Sequence, residues 1–466
     1  MSFGYLYGIW FVSGIVFFAI VVLTYIVIKK AANRPVFLGF RGSNDFLTSQ
    51  TNHAVVETAM NVFFKKNARK DFSLISIDIT AFHYFNTVFG NAAGDKLLGV
   101  IGNCIKEKYN CGVRIYADVF LFVAPTEPNL IAIAKENLYM AIRQNFGEQF
   151  VHIIGFKFGV FPLFDDVRSF REAYDGALLA LRTVKASAQQ DYMVYDRKMQ
   201  QLSKLGRDIE VNMKQALKNG EFEMFIQPKF SVASGRCCGG EALIRWNSQN
   251  LGFLFPGHFV PLFEQNGFII DVDLYMLEKL LSYMQKLIDG GKTPLPISLN
   301  QSRITVSFPN YMERMEALVK SYSVPLDLIE IEITESAVIG NDDELVAIVH
   351  RFRSMGFSVA IDDFGSGLSS LNTLKDLEVS TLKLDKHFLQ TSDETAKGKK
   401  IIQSIISMSR DLDIITVCEG VETGAQFDFL KSTGCDIIQG YLFSKPLPYT
   451  EYLKNYINTF SISEIS

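Results

Sequence analysis

Six short apolar runs in the second half of the chain each carry an acid, an amide or a lysine, and that recurrence limits the fold more than any other feature of the sequence. The clearest is Cys237-Cys238-Gly239-Gly240-Glu241-Ala242-Leu243-Ile244-Arg245-Trp246, an apolar stretch around a single carboxylate, Glu241. Ile329 to Ile333 carries Glu330 and Glu332, Val359 to Asp363 ends in Asp362 and Asp363, and Ile415 to Glu419 ends in Glu419. Asn300 closes Pro296 to Leu299, and Lys383 sits within Thr381 to Asp385. Near-continuous apolar runs are the mark of strands buried on both faces. A lone acid in such a strand is costly unless it is paired or binds a cation. One arrangement accounts for all six runs: parallel strands closing a barrel, with the polar residues lining its top and holding divalent metal.

Eight strand candidates follow Glu221, at 224–230, 239–245, 295–300, 328–333, 358–363, 381–385, 414–419 and 436–439. Helical patterns such as 273–287 and 345–355 separate most of them, as a (β/α)8 barrel requires. In that fold, residues that carry chemistry sit at the C-terminal ends of the strands. Asn300, Glu332, Asp362, Asp363, Glu419 and Gln439 all fall there. Clustered carboxylates repel unless cations neutralise them. No arginine cluster is at hand; Lys383 is the one inward basic residue in the set, with Arg245 just past Glu241. Oxygen donors point to Mg²⁺ or Mn²⁺ rather than zinc, and none of the six histidines falls with the acids. Two such ions would activate a water and stabilise a departing oxygen. Glu330 shares a face with Glu332 but lies deeper, which predicts an internal hydrogen-bonded acid rather than a ligand.

Glu241-Ala242-Leu243, Asn300, Glu332-Ile333-Thr334-Glu335-Ser336, Asp362-Asp363-Phe364-Gly365, Lys383 and Glu419-Gly420-Val421-Glu422 stand in the order of the EAL family, which this chain resembles over residues 221–466. The resemblance implies a phosphodiesterase that hydrolyses cyclic di-GMP to linear pGpG. It implies Glu241, Asn300, Glu332, Asp362 and Asp363 as ligands of two Mg²⁺ or Mn²⁺ ions. Glu419 would be the remaining ligand or the general base. Lys383 would orient the attacking water or neutralise charge on phosphorus. Arg245 would clamp a phosphate oxygen and Gln227 would reach the substrate. Gln439 would serve the substrate or, with Asp385 and Glu422, stand behind the ligands. Glu335 would support the loop Phe364–Ser370, which the family uses to order the metal and a homodimer interface. A catalytically silent cyclic di-GMP receptor is the competing reading; such a member should lack a ligand, the lysine or the base, and here all are present. Leu368 in place of a common tyrosine, and Asn247-Ser248 in place of His-Pro, remove no ligand.

Upstream, Ile9 to Ile28 is apolar enough to predict a transmembrane helix over 6–28. No Lys or Arg precedes it, while Lys29, Lys30 and Arg34 follow in a juxtamembrane linker, 29–43. Those charges predict a single pass through the inner membrane, with the remaining domains in the cytoplasm. Residues 44–197 alternate strands and helices as a compact α+β domain does. They resemble the GGDEF domain of diguanylate cyclases, with a degenerate signature, Tyr116-Ala117-Asp118-Val119-Phe120. Thr80 replaces a second aspartate, His83 a lysine, and Glu107 with Asn110 the inhibitory Arg-x-x-Asp pair. Paired glycines let a backbone approach a nucleotide, whereas Tyr116 and Ala117 add side chains there. Asp78 and Asp118 are candidates for holding one cation, and Asn86 with Asp95 for bonding the guanine of GTP. Ordinary caps and turns are the equal alternative for all four. A linker helix, 198–220, carries the stripe Leu202, Leu205, Ile209, Met213, Ala216 and Leu217. A net charge of −4 argues against a nucleic-acid partner. The six cysteines form no zinc or disulfide spacing and read as free thiols.

Overall fold

In the computed structural model the described residues are 71–457, apart from 110–111, 165–166, 168, 188, 335–341, 365–376, 387–388 and 390–395. They fall into two compact units that divide between Lys204 and Leu205. The expected single-pass inner-membrane placement is corrected here. Among the described residues no helix is long and apolar enough to cross a membrane, and the expected span, 6–28, lies outside them.

The first unit is a five-stranded sheet ordered β2-β3-β1-β4-β5. Its strands are β1 (Phe72–Thr80), β2 (Gly112–Tyr116), β3 (Val119–Pro125), β4 (Gly155–Pro162) and β5 (Tyr192–Val194). Period-two alternation along β1 divides the core. Ile75, Ile77 and Ile79 pack with Phe85, Leu97 and Leu138 on helices α1 (Phe82–Phe89), α2 (Asn91–Tyr109) and α3 (Leu130–Phe146). Leu74 packs on the other face with Ala177 and Leu181 of α4 (Phe170–Lys185). The hairpin β2–β3 carries the signature stretch, with Ala117 at its turn at φ 45°.

Helix α5 (Arg197–Asn219) crosses the division between the units. Its Ile209 and Ala216 are buried in the core of the second unit, with Leu205, Met213 and Leu217 packed against it. All eight strand candidates appear there: β6 (Phe222–Ser231), β7 (Cys237–Ser248), β9 (Ile297–Asn300), β10 (Ile329–Thr334), β11 (Ser358–Phe364), β12 (Thr381–Leu384), β13 (Ile415–Cys418) and β14 (Ile437–Ile438). β7 pairs with β6, and β14 pairs with β6 as well, so the sheet closes into a barrel. Two short strands pair at its margin, β8 (Gly252–Leu254) on β7 and β15 (Leu447–Pro448) on β6. Helices α6 (Pro256–Asn266), α7 (Ile269–Asp289), α8 (Tyr311–Val319), α9 (Asp342–Met355), α10 (Ala396–Asp411) and α11 (Gly424–Thr433) lie between strands.

The barrel departs from the expected all-parallel form in one strand. β6 runs antiparallel to both neighbours, while the other adjacent pairs around the barrel are parallel. The chain from Ser231 to Cys237 is too short for a parallel crossover, which needs a dozen or more residues. It forms a tight turn instead, in which Gly235 donates its N–H to Ser231 O at 2.9 Å. β6 therefore descends from the barrel mouth. Gln227 stands opposite Glu241 and Lys229 opposite Gly239, one layer deeper.

At the far side of the mouth Gly440 lies against the Val421 backbone. A Cβ there would sit 2.1 Å from Val421 O and 2.3 Å from its N. Overpacking against main chain that cannot rotate away costs roughly 1–3 kcal/mol. Gly440→Ala is accordingly expected to lower the free energy of unfolding by that much, read as a lower denaturant midpoint in an equilibrium titration, and an unchanged midpoint would refute the packing described.

Candidate functional site

Seven parallel strands deliver their C-terminal side chains to one mouth, and one ammonium group is its centre. Lys383 Nζ lies 2.6 Å from Glu419 Oε1, 2.7 Å from Glu332 Oε2, 3.1 Å from Asp362 Oδ1 and 3.6 Å from Glu241 Oε2. Glu241 is fixed by two amides: Asn300 Nδ2 donates to Oε1 and Gln439 Nε2 to Oε2, each at 2.7 Å. Gln439 Nε2 also reaches Gln227 Oε1 at 3.2 Å. Asp363 donates its backbone N–H to Asp362 Oδ1 at 2.9 Å and holds φ at 55°, a left-handed conformation uncommon for a non-glycine residue. Such strain clusters at functional sites.

The electrostatics of the mouth are those of surplus negative charge. Lys229 and Lys383 face Glu241, Glu330, Glu332, Asp362 and Glu419, two cations against five acids. Burial pushes Glu419 up to about 8, with Glu241, Asp362 and Glu332 adding to the rise and Lys383 opposing it. Burial also raises Glu241, reinforced by Glu332. Asp363 is pushed up to about 6 by burial and by the nearby Asp362 and Asp385 carboxylates. Glu332 goes the other way: burial would raise it, but Lys383 and Lys229 together hold it at about 2.

Among the described residues no three acids, histidines or cysteines converge as a ready-made metal cage; the acids gather on Lys383 instead. The donor set nevertheless fits a hard divalent cation. It is all oxygen, it exceeds the available positive charge, and two of its buried oxygens lack a directed hydrogen bond, Glu419 Oε1 and Gln439 Oε1. The first lies close to Lys383 Nζ, yet the contact is ionic and not aligned as a hydrogen bond.

The structure thus brings together Gln227, Glu241, Asn300, Glu332, Asp362, Lys383, Glu419 and Gln439. Asp363 shares a hydrogen bond with the Asp385 carboxyl. Arg245 stands on the same strand as Glu241, its guanidinium between the rings of Phe225 and Phe255 at 5.7 and 5.6 Å from their centroids. Glu422 is at the start of α11, where its backbone N–H donates to Gln426 Oε1. Glu335 and residues 365–370 of the supporting loop lie outside the described residues.

One expectation about this mouth is corrected. Lys383 is not its one inward base. Lys229, 5% exposed, enters from the antiparallel strand and bonds Glu332 Oε1 at 3.0 Å, Ser298 Oγ at 2.8 Å and Glu330 Oε2 at 3.3 Å. Glu330 is the deeper internal acid its period-two spacing implies; its other oxygen accepts from the Thr381 hydroxyl. The signal for Lys229 was in the sequence: two residues past Gln227, it shares that face of the strand.

In the first unit Asp78 is buried on β1 and paired with Lys185 at the C-terminal end of α4. Burial and the neighbouring Asp78 raise the Asp118 carboxyl, with Lys185 opposing. Asn86 lies against Gly94, where any Cβ would sit 1.8 Å from Asn86 Oδ1, and that oxygen is buried without a hydrogen bond. Asp95 is exposed on α2.

An eight-stranded barrel with a cluster of acids and amides around one lysine at its mouth defines the class of this protein. The chain belongs to the EAL family: the EAL domain model matches residues 210–446, just over half of its length. The model of the diguanylate cyclase, GGDEF domain, matches residues 43–191. The chain is 28% identical over 428 residues to the cyclic di-GMP phosphodiesterase NbdA of Pseudomonas aeruginosa, covering 88% of this chain and 54% of that protein. To the cyclic di-GMP phosphodiesterase RocR of the same organism it is 33% identical over 256 residues, covering 53% and 65%. A solved structure of the PaMucR phosphodiesterase in its c-di-GMP complex superposes with a TM-score of 0.51 at 32% identity, over 53% of this chain and 100% of that one. The chain therefore spans only about half to two thirds of the length of these curated relatives.

Proposed function

We propose that this chain is a cyclic di-GMP phosphodiesterase that opens one phosphodiester bond to give linear pGpG, using two divalent cations at the barrel mouth. The observation that carries the reading is the convergence of Glu241, Glu332, Asp362 and Glu419 on Lys383, with more acid than the lysines neutralise. The kinship to NbdA, RocR and the PaMucR phosphodiesterase supports the substrate.

Glu241, Asn300, Glu332, Asp362 and Asp363 would hold the cations, which are Mg²⁺ or Mn²⁺ by the oxygen donor set. Bound there, such ions activate a water and stabilise the departing oxygen. Glu419 Oε1 receives the proton of the attacking water. Lys383 Nζ neutralises charge developing on the phosphate. Arg245, stacked between Phe225 and Phe255, presents its fork to a phosphate oxygen. Gln227 and Gln439 add amide donors beside it. The test is to incubate the full chain with cyclic di-GMP and Mn²⁺ and identify the product by chromatography. Linear pGpG is expected; cyclic di-GMP bound but recovered unchanged would instead identify a silent receptor.

The N-terminal domain belongs to the same proposal as a degenerate, non-cyclase module. Asp78 faces Val119 in the β1–β3 register and is paired with Lys185, so one acid a metal-held triphosphate would use is replaced by valine and another is engaged by a lysine. Full chain carrying Asp362→Ala, so that product persists, is expected to form no cyclic di-GMP from GTP and Mg²⁺. Product above background would refute this assignment.

A further inference from the structure

Lys229 is a buried charge that the proposed chemistry leaves unused. Its ammonium has three donors and three partners, Ser298 Oγ, Glu332 Oε1 and Glu330 Oε2, at 2.8, 3.0 and 3.3 Å. The partners extend sideways. Ser298 Oγ donates to Gly240 O at 3.4 Å, and Glu330 accepts from Thr381. The result is a polar floor tying β6, β7, β9, β10 and β12 together directly beneath the mouth. Barrel interiors of this kind are normally filled by branched apolar side chains. A buried ion pair seldom stabilises a fold more than well-packed apolar residues would. Stability alone therefore gives no reason for charge at this depth.

We infer that the Lys229–Glu330 pair is a positioning device for Glu332, anchoring Oε1 from below so that Oε2 faces the mouth. Lys383 meets Glu332 at Oε2; Lys229 meets it at Oε1. The two lysines differ in kind. Lys383 is shared among four acids at the mouth, whereas Lys229 is offset by Glu330 in its own layer. Lys229 also adds positive charge beside Glu332, but the pair as a whole carries no net charge, so replacing both partners by neutral residues keeps the charge count and removes the anchor on Oε1. Partners that orient a metal-binding carboxylate typically contribute 10- to 100-fold in metal affinity. The inference rests on the reading of Glu332 as a cation ligand.

The charge-balanced variant Lys229→Met/Glu330→Gln tests it in the full chain. Free Mn²⁺ is followed by its electron paramagnetic resonance signal, and thermal unfolding is recorded in chelator. The expected result is cooperative unfolding with a Mn²⁺ dissociation constant raised about tenfold or more. Ser298→Ala, which removes one anchor of the ammonium and little volume, is expected to weaken Mn²⁺ binding roughly threefold to fivefold. A cooperatively folded double variant with wild-type Mn²⁺ affinity overturns the inference. So does a double variant that fails to fold while Ser298→Ala binds Mn²⁺ as the wild type does, because the pair is then purely structural. A wild-type chain that takes up no Mn²⁺ is a separate failure: it removes the proposed function, and this inference with it.

Discussion

Glu241→Ala and Asp362→Ala are each expected to reduce cyclic di-GMP hydrolysis by ~10³-fold or more, the scale on which loss of an electrostatic stabiliser acts. The cause is local. Glu241 is held by Asn300 and Gln439 and meets Lys383, so its removal takes away an oxygen donor and releases two amides at once. Asp362 takes the Asp363 N–H as well as Lys383, so its loss also frees the strained turn. Neither residue belongs to the apolar core, and both variants are expected to keep cooperative unfolding. Steady-state rates with Mn²⁺, beside a circular dichroism melt, make the check. Rates near wild type that also survive a chelator would contradict a metal role for these acids.

The second large effect is on stability. Lys383→Met leaves Glu241, Glu332, Asp362 and Glu419 facing one another without their shared cation. Removing one partner from a buried ionic cluster costs about 3–5 kcal/mol, which for a domain of this size lowers Tm by roughly 10 °C. A divalent cation binding the same acids should recover much of that loss, since any ligand of the folded state alone stabilises it by mass action. The variant is therefore expected to melt well below wild type in chelator and to gain far more from Mn²⁺ than wild type does. Its turnover should remain low even when its Tm is restored, because the ammonium beside the phosphate is gone. Equal melting of variant and wild type in chelator would show that Lys383 is not the hub of the mouth.

The barrel was legible in the sequence because its strands are short apolar runs with few polar residues each, and strand periodicity is a local property. The direction of the first strand was legible too, but in a different place. Only eight residues separate the candidates at 224–230 and 239–245, too few for a parallel crossover, and the turn after Ser231 follows from that length. With β6 inverted, Gln227 belongs at the mouth and Lys229 beneath it. An all-parallel reading keeps that second lysine on the inward face but sets it above Gln227 instead of beneath it. Contacts such as Lys229 with Glu332, or Lys185 with Asp78, join residues 103 and 107 positions apart. No periodicity encodes such pairings; they arise only when the sheet register is set. The roles implied for Glu335 and the loop after Phe364 fall outside the described residues, and the placement in a membrane does not stand.

If the acids around Lys383 hold cations that drive hydrolysis, metal occupancy and turnover must rise together. The most direct measurement follows Mn²⁺ occupancy and pGpG release together while a chelated full chain is titrated with Mn²⁺. The expected result is no hydrolysis in chelator, binding of two ions per chain, and a rate that rises with their occupancy. Hydrolysis that continues in chelator, or a metal-saturated chain that binds cyclic di-GMP and releases it intact, would contradict it.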